Sequence, residues 1–390
     1  MKIAGIIAEY NPFHSGHAWH ISQTRRISGC DYVVVCMAGH FTQRGEPAIY
    51  SKWRRAEMAL RAGADAVFEL PALFAVRSAD AFAGGGVSLL SGLGADVLSF
   101  GSEIADPVLL GKLAALRERE PEAVTLALRE KLATGMSHPR AWGEAVSEYL
   151  GVPRETLMLP NVILGMEYLR ALKASGSGME PLIIQRRGSY HAAEGSGFLS
   201  AEALRKLLKE GKTERARAAM PEAVRSLAHP VRQHGMDDVL LYRLRGMSVE
   251  ELAELPDIGE GLEHRLHRLS RECGGRDALL AALKCKRYTY ARLSRLLTHA
   301  LLGLNRAALE AVPLPPYGRL IGLRRGAEEL LSELDRRASV PIVSRAKALR
   351  GEPCFGLECR ATDMWALMQD DPARRVSGME YTRRLVSVSP

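Results

Sequence analysis

The sequence predicts an α/β fold: a doubly wound parallel sheet, then a basic, mostly helical second region and a short α/β tail. Three observations carry this. Strand-like and helix-like stretches alternate through the first hundred residues. The strand candidates are continuous apolar runs, as in strands buried on both faces. The first run leads at once into a turn bearing histidine and glycine, His14-Ser15-Gly16-His17, which opens a helix.

The elements follow in order. Residues 3–8 form the first apolar run, and 17–28 read as a helix. Residues 32–37 are a second strand, and 52–62 a helix with Ala56, Ala59 and Leu60 at helical spacing. Residues 66–70 are a third strand, stopped by Pro71. The helix expected over 79–93 contains Gly84-Gly85-Gly86, which inside an apolar pattern implies close packing against a neighbour. Residues 97–100 are a fourth strand ending in Gly101-Ser102-Glu103. Residues 106–175 read as helical, and 181–185 as a fifth strand followed by Arg186 and Arg187. Helices are expected over 201–210, 239–245, 261–271 and 279–302. The turn Asp257–Leu262 resembles that of a helix–hairpin–helix, although a plain interhelical turn has the same pattern. Segments 319–324, 340–343 and 361–367 form the tail. The expected organisation is a catalytic unit over 1–200, a basic helical region over 201–335 and a small α/β segment over 336–390.

Charge divides the chain the same way. The 390 residues are 47% hydrophobic with a net charge of +8, enough apolar content for a sizeable core. Residues 1–200 hold 20 Lys+Arg against 20 Asp+Glu, whereas residues 201–350 hold 28 against 19. A neutral half joined to a basic half points to a polyanionic partner on the second; a solvated basic surface has the same composition. The six cysteines contain no C-x-x-C pair, so no zinc site is expected and free thiols in a reducing cytoplasm are. No apolar run reaches membrane-spanning length, so no membrane partner is expected.

The chemistry gathers at the carboxyl edge of the sheet, where such folds bind ligands. A strand–loop–helix start presents free backbone N–H groups and a positive dipole end to a phosphate. His14 and His17 can stabilise charge that builds when an α-phosphorus is attacked, and Gly16 permits close backbone approach. Helix-start histidines that merely cap the backbone give the same pattern. Gly101 closes a strand at this edge. Asn161 follows Pro160 at a helix start, where a helix cap is the plain reading. Arg186 and Arg187 suit phosphate, with adjacent strand residues on opposite faces. In the polar loop 43–47 and the helix after it, Arg44, Lys52 and Arg54 are placed to meet RNA phosphates; Trp53 reads as core. No Walker loop is present, because Lys206 stands where Gly211-Lys212-Thr213 would need its upstream glycine.

The run Ala8–His20 resembles the HxGH signature of the nucleotidyltransferase superfamily. More closely, the chain resembles the bacterial tRNA(Met) cytidine acetate ligases through residues 5–17 (GIIAEYNPFHSGH), 39–53, 63–71, 100–103 (FGSE), 160–168 and 185–191, in order. Later residues match loosely, through the basic helical block and Arg360–Asp363. The resemblance implies a Rossmann-like nucleotidyltransferase domain. It implies that acetate attacks the α-phosphate of ATP, expelling pyrophosphate, and that the acetyl group passes to N4 of the wobble cytidine (C34) of elongator tRNA(Met). It also implies ATP contacts from Ile7, Ala8, Glu9, Tyr10, Asn11, Pro12, Phe13, His14, Gly16, His17 and His20, with Gly101, Asn161, Arg186 and Arg187. The superfamily's second phosphate element falls on Leu199–Arg205, where Ser200 caps a helix and Arg205 faces the phosphates; Glu202 departs from the Thr usual there. Mg²⁺ is expected with the ATP phosphates, without a dedicated carboxylate cluster. Two other functions fit the residues alone: a nucleotidyltransferase acting on a small carboxylate or mononucleotide, and a nucleotide- and RNA-binding protein without activity.

Overall fold

The computed structural model describes residues 1–186, 198–229 and 236–389. Its first half alternates as expected: β1 (Ile3–Ala8), α1 (Ser15–Ser28), β2 (Tyr32–Ala38), α2 (Lys52–Arg61), β3 (Ala66–Leu70), α3 (Ala72–Ala75), α4 (Ala79–Gly92) and β4 (Val97–Ser102). Helices α5 (Pro107–Glu118), α6 (Glu122–Ala133), α7 (His138–Leu150), α8 (Arg154–Leu157) and α9 (Pro160–Ala174) lead to β5 (Glu180–Gln185). Strands β5, β4, β1, β2 and β3 lie side by side in that order, all parallel. The strand order reverses between β1 and β4, which opens a crevice beyond their carboxyl ends.

Alternation of side chains along each strand covers both faces. Val33, Val35 and Met37 pack with Ile21 of α1 and with Met58 and Leu60 of α2. Val34, Cys36 and Ala38 pack on the other face with Val87 and Leu90 of α4 and Met166 of α9. The glycine run packs as its setting predicted. A methyl group on Gly86 would lie 2.6 Å from the Ile7 side chain, and one on Gly85 2.6 Å from Phe74.

The rest of the chain adds helices α10 (Ala201–Lys209), α11 (Thr213–Ala218), α12 (Glu222–Arg225), α13 (Met236–Arg245), α14 (Val249–Ala253), α15 (Leu262–Glu272), α16 (Arg276–Leu283), α17 (Tyr290–Leu302) and α18 (Arg306–Ala311). After these come β6 (Gly318–Arg324), α19 (Glu328–Arg337), β7 (Ile342–Val343), α20 (Pro353–Leu367), α21 (Met379–Thr382) and β8 (Val386–Val388). No described helix is long and apolar enough to cross a membrane.

Three expectations change. The sheet is mixed, because β6 pairs antiparallel with β3, and β7 and β8 then pair with β6. The strands of the tail thus extend the first sheet. The helix expected over 279–302 is two, because Lys284 Nζ ties back to the Tyr288 carbonyl and Thr289 caps α17. Residues 361–367 are the end of the longer helix α20. The turn at 257–262 joins α14 to α15, and Arg292 and Arg306 donate to its Asp257 and Ile258 carbonyls.

Candidate active site

A cavity of about 440 Å³ occupies the crevice at the ends of β1 and β4. His14 ends the turn after β1 with an extended backbone (φ −145°) and caps α1. Its Nδ1 accepts from the Gly16 N–H at 3.1 Å, while the His14 N–H donates to His17 Nδ1 at 3.2 Å. The rings stack with centroids 3.6 Å apart. The two histidines are therefore a reciprocal capping box and cavity-lining groups at once. With both Nδ1 atoms accepting, each neutral ring carries its proton on Nε2. Burial, reinforced by Arg186, pushes His14 down to about 3. Burial, His14, Arg186 and His20 push His17 well below the usual histidine range. At neutral pH the pair offers two uncharged Nε2–H donors.

The free backbone N–H groups predicted at this helix start are not available. Ser15 N–H donates to the Ala219 carbonyl, Gly16 N–H to His14 Nδ1, and the His17 and Ala18 N–H groups to the His14 carbonyl. A side chain serving as the cap uses the donors a phosphate would otherwise meet. Gly16 remains essential to the geometry, since a methyl group there would lie 2.9 Å from the His14 ring.

Other expected residues converge on the same cavity: Ile7, Ala8, Glu9, Tyr10, Asn11, His20, Gly101, Asn161, Arg186, Ser200 and Arg205. Ser200 caps α10, accepting from Ala203 N–H. Arg205 Nη1 donates to the Asn11 carbonyl at 2.7 Å and so holds the motif loop. Asn11 Oδ1 accepts from Ile49 N–H. Asn161 is not the cap, since Leu159 occupies that position; its Nδ2 instead donates to Glu103 Oε1 at 2.6 Å. Arg186 Nε lies 3.6 Å from the same carboxylate. His20 Nε2 lies 3.1 Å from Ser99 Oγ, which in turn meets Thr24 Oγ1. Burial and then Arg186 push His20 down to about 4.

The remaining expectations fall elsewhere. Pro12 and Phe13 are buried beside the cavity, and Phe13 packs edge-on against Tyr10. Arg187 lies outside the described residues. Lys52 is no RNA contact: it is fully buried, paired with Glu69 and, at 2.6 Å, with Glu380. Arg54 is half-buried and donates to the Leu227 carbonyl. Arg44 is exposed and lines the cavity mouth. Its loop is fastened from behind, because Ser294 and Thr298 of α17 donate to the Gly45 carbonyl.

Sequence reasoning gave no role to Glu103, Ser99, Phe82, Phe100 or Tyr168. Glu103 holds Asn161 and Arg186; the three aromatics form an apolar wall. Only the FGSE stretch signalled the first of these.

The family model described as HIGH Nucleotidyl Transferase matches residues 1–379. The tRNA(Met) cytidine acetate ligase of Syntrophomonas wolfei is 34% identical, covering 98% of each chain. The chain belongs to the tRNA(Met) cytidine acetate ligase family. The ligase of Bacillus subtilis is 36% identical over 96% of this chain and 94% of its own. The structure of Thermotoga maritima TmcAL without ligand superposes with a TM-score of 0.90 at 30% identity, covering both chains completely. The same protein bound with alpha-thio ATP gives 0.89. The fold class and the ligase family expected from the sequence both hold.

Proposed function

We propose that this chain is an ATP-dependent ligase that makes acetyl-adenylate from acetate and acetylates N4 of the wobble cytidine of elongator tRNA(Met). The observation that carries the reading is the stacked His14–His17 pair at the switch point, in a chain that aligns end to end with such ligases. ATP binding has further support in the alpha-thio ATP complex of the Thermotoga maritima protein.

In the first step an acetate oxygen attacks the α-phosphorus and pyrophosphate leaves. Negative charge grows on the phosphoryl oxygens and the leaving group. His14 and His17 Nε2–H, with the Arg186 and Arg205 guanidinium groups, are the cavity's donors for that charge. The neutral imidazoles give directional hydrogen bonds without needing protons from solvent. Glu103 positions Asn161 and Arg186, and Arg205 fixes the loop that carries the histidines. Among the described residues no three His, Cys, Asp or Glu side chains converge as a metal site. The residues therefore do not supply a Mg²⁺ cage, and an ion arriving with ATP would be held by phosphate oxygens and water. Arg44, at the cavity mouth, and the basic helices are the surface on which we place the tRNA.

Acetate-dependent exchange of pyrophosphate into ATP, followed by transfer of labelled acetate to tRNA, tests the reading. We expect both. Exchange with another small acid or mononucleotide, and no label in tRNA, would replace it with a small-molecule nucleotidyltransferase. No exchange at all would favour a binding protein without activity.

A further inference from the structure

The second half-reaction needs a base. The exocyclic amine of cytidine is a weak nucleophile, and the nitrogen must lose a proton as it attacks the acetyl carbonyl. The described histidines of the cavity do not provide one. Nδ1 of His14 and of His17 already accepts a backbone N–H, and Nε2 carries the proton. His20 Nε2 is engaged by Ser99.

Among the described residues, three carboxylates line the cavity: Glu9, Glu46 and Glu202. Glu202 is exposed on α10, and Glu46 sits on the loop at the mouth. Glu9 lies inside, one residue beyond the end of β1 and on the same loop as the histidine pair. Its neighbour Tyr10 packs against the His17 ring, with centroids 4.8 Å apart. One carboxylate oxygen, Oε1, accepts from the Gln43 N–H at 2.7 Å, which fixes the side chain. Glu9 forms no ion pair with a described residue, and its Oε2 accepts no hydrogen bond from one, while the residue lines the cavity. Resting on the ligase reading above, we propose that Glu9 is the proton acceptor for acetyl transfer. The C–N bond forms between cytidine N4 and the acetyl carbon. The bond from that carbon to the phosphate oxygen breaks, its electron pair leaving with AMP. The N4 proton passes to Glu9 Oε2 and then to solvent.

The surroundings suit the role. Burial raises the Glu9 carboxyl above its usual range, while the Gln43 hydrogen bond and the charges of Arg205, Arg44 and Arg55 pull it back. Tyr168 also feels its charge. A carboxylate so placed is more basic than one in water.

The test separates the two half-reactions. Glu9→Gln should lower acetate-dependent pyrophosphate exchange at least about tenfold less than it lowers acetyl transfer. In single turnover from preformed enzyme-bound acetyl-adenylate, it should slow transfer to tRNA by about a hundredfold or more. Glu9→Asp should restore part of that rate. In the unaltered enzyme, transfer should fall as the pH is lowered and Glu9 takes up a proton. Transfer by Glu9→Gln at the wild-type rate overturns the proposal. So does an equal loss of exchange and transfer, or a wild-type transfer rate that does not fall as the pH is lowered. Absence of exchange in the wild-type enzyme would instead count against the ligase reading itself.

Discussion

Two buried polar clusters sit at the carboxyl edge of one sheet, and they behave in opposite ways. Beyond β1 and β4, the histidine pair and Glu9 keep hydrogen-bonding atoms turned to a cavity. Beyond β2 and β3, Lys52, Glu69, Arg319 and Glu380 pair with one another and are sealed. Thr362 meets both His40 and Glu380 there, and Glu358 Oε1 accepts from the Ala72 N–H. Burial and the neighbouring Glu69 push Glu358 well above the usual carboxyl range. The same residue types thus line a cavity in one place and join elements in the other. The closed cluster fastens β6, α20 and α21 to the sheet, whereas the open one leaves donors for a ligand. What separates them is whether each charge finds its partner within the protein.

The comparison can be broken most sharply at Lys52. Lys52→Met leaves Glu69 and Glu380 with Arg319 as their one cationic partner among the described residues, and should cost about 3–5 kcal/mol in urea unfolding. Exchange activity per folded molecule should persist. Unchanged stability with weakened tRNA binding would return Lys52 to the RNA surface and end the contrast. Next in size, His17→Ala should lower acetate-dependent exchange by about 10²–10³-fold. Its cost in stability should be only about 1 kcal/mol, the worth of a cap bond. A large drop in melting temperature with normal exchange would make the histidine pair structural only.

A pH series sharpens the same point. His14 titrates near 3 in the folded chain against 6.5 when unfolded. The unfolded state therefore takes up the proton first as pH falls. The stability due to neutral burial is complete above about pH 6.5 and is lost progressively toward pH 3. His14→Asn, which keeps a capping side chain, should flatten the dependence of unfolding free energy by about 1.4 kcal/mol per pH unit within that window. An unchanged slope in urea titrations at pH 4.5–6 would show that His14 is not buried neutral. The smallest effect is expected at the mouth. Arg44→Ala should weaken tRNA binding a few-fold and reduce its salt dependence by about one phosphate contact. Affinity equal to wild type at low salt would move the RNA surface away from this loop.

The charge of the second region shows why composition alone does not locate an RNA surface. Arg243, Arg245, Arg265 and Arg292 each donate to a backbone carbonyl of a neighbouring helix or turn. They brace the helices and still keep their positive charge, because a carbonyl does not neutralise it. Their spacing in the sequence carries no sign of this double use.

The sequence by itself determined the parallel core, the switch-point loop and its histidines, because local signals suffice for these. Apolar runs between helical patterns fix the alternation, and a histidine–glycine turn directly after β1 can only open at the carboxyl edge. Tertiary structure decided the rest. Only the packed chain brings Glu103 to Asn161 and Arg186, lays the loop at Gly45 on α17 nearly 250 residues later, and pairs β6 antiparallel with β3. Only the packed chain shows that Lys52 faces inward and that His14 has taken the helix-start donors for itself. Those outcomes depend on which polar group each buried polar group meets, and that choice is made by residues far apart in the chain, where no local spacing records it.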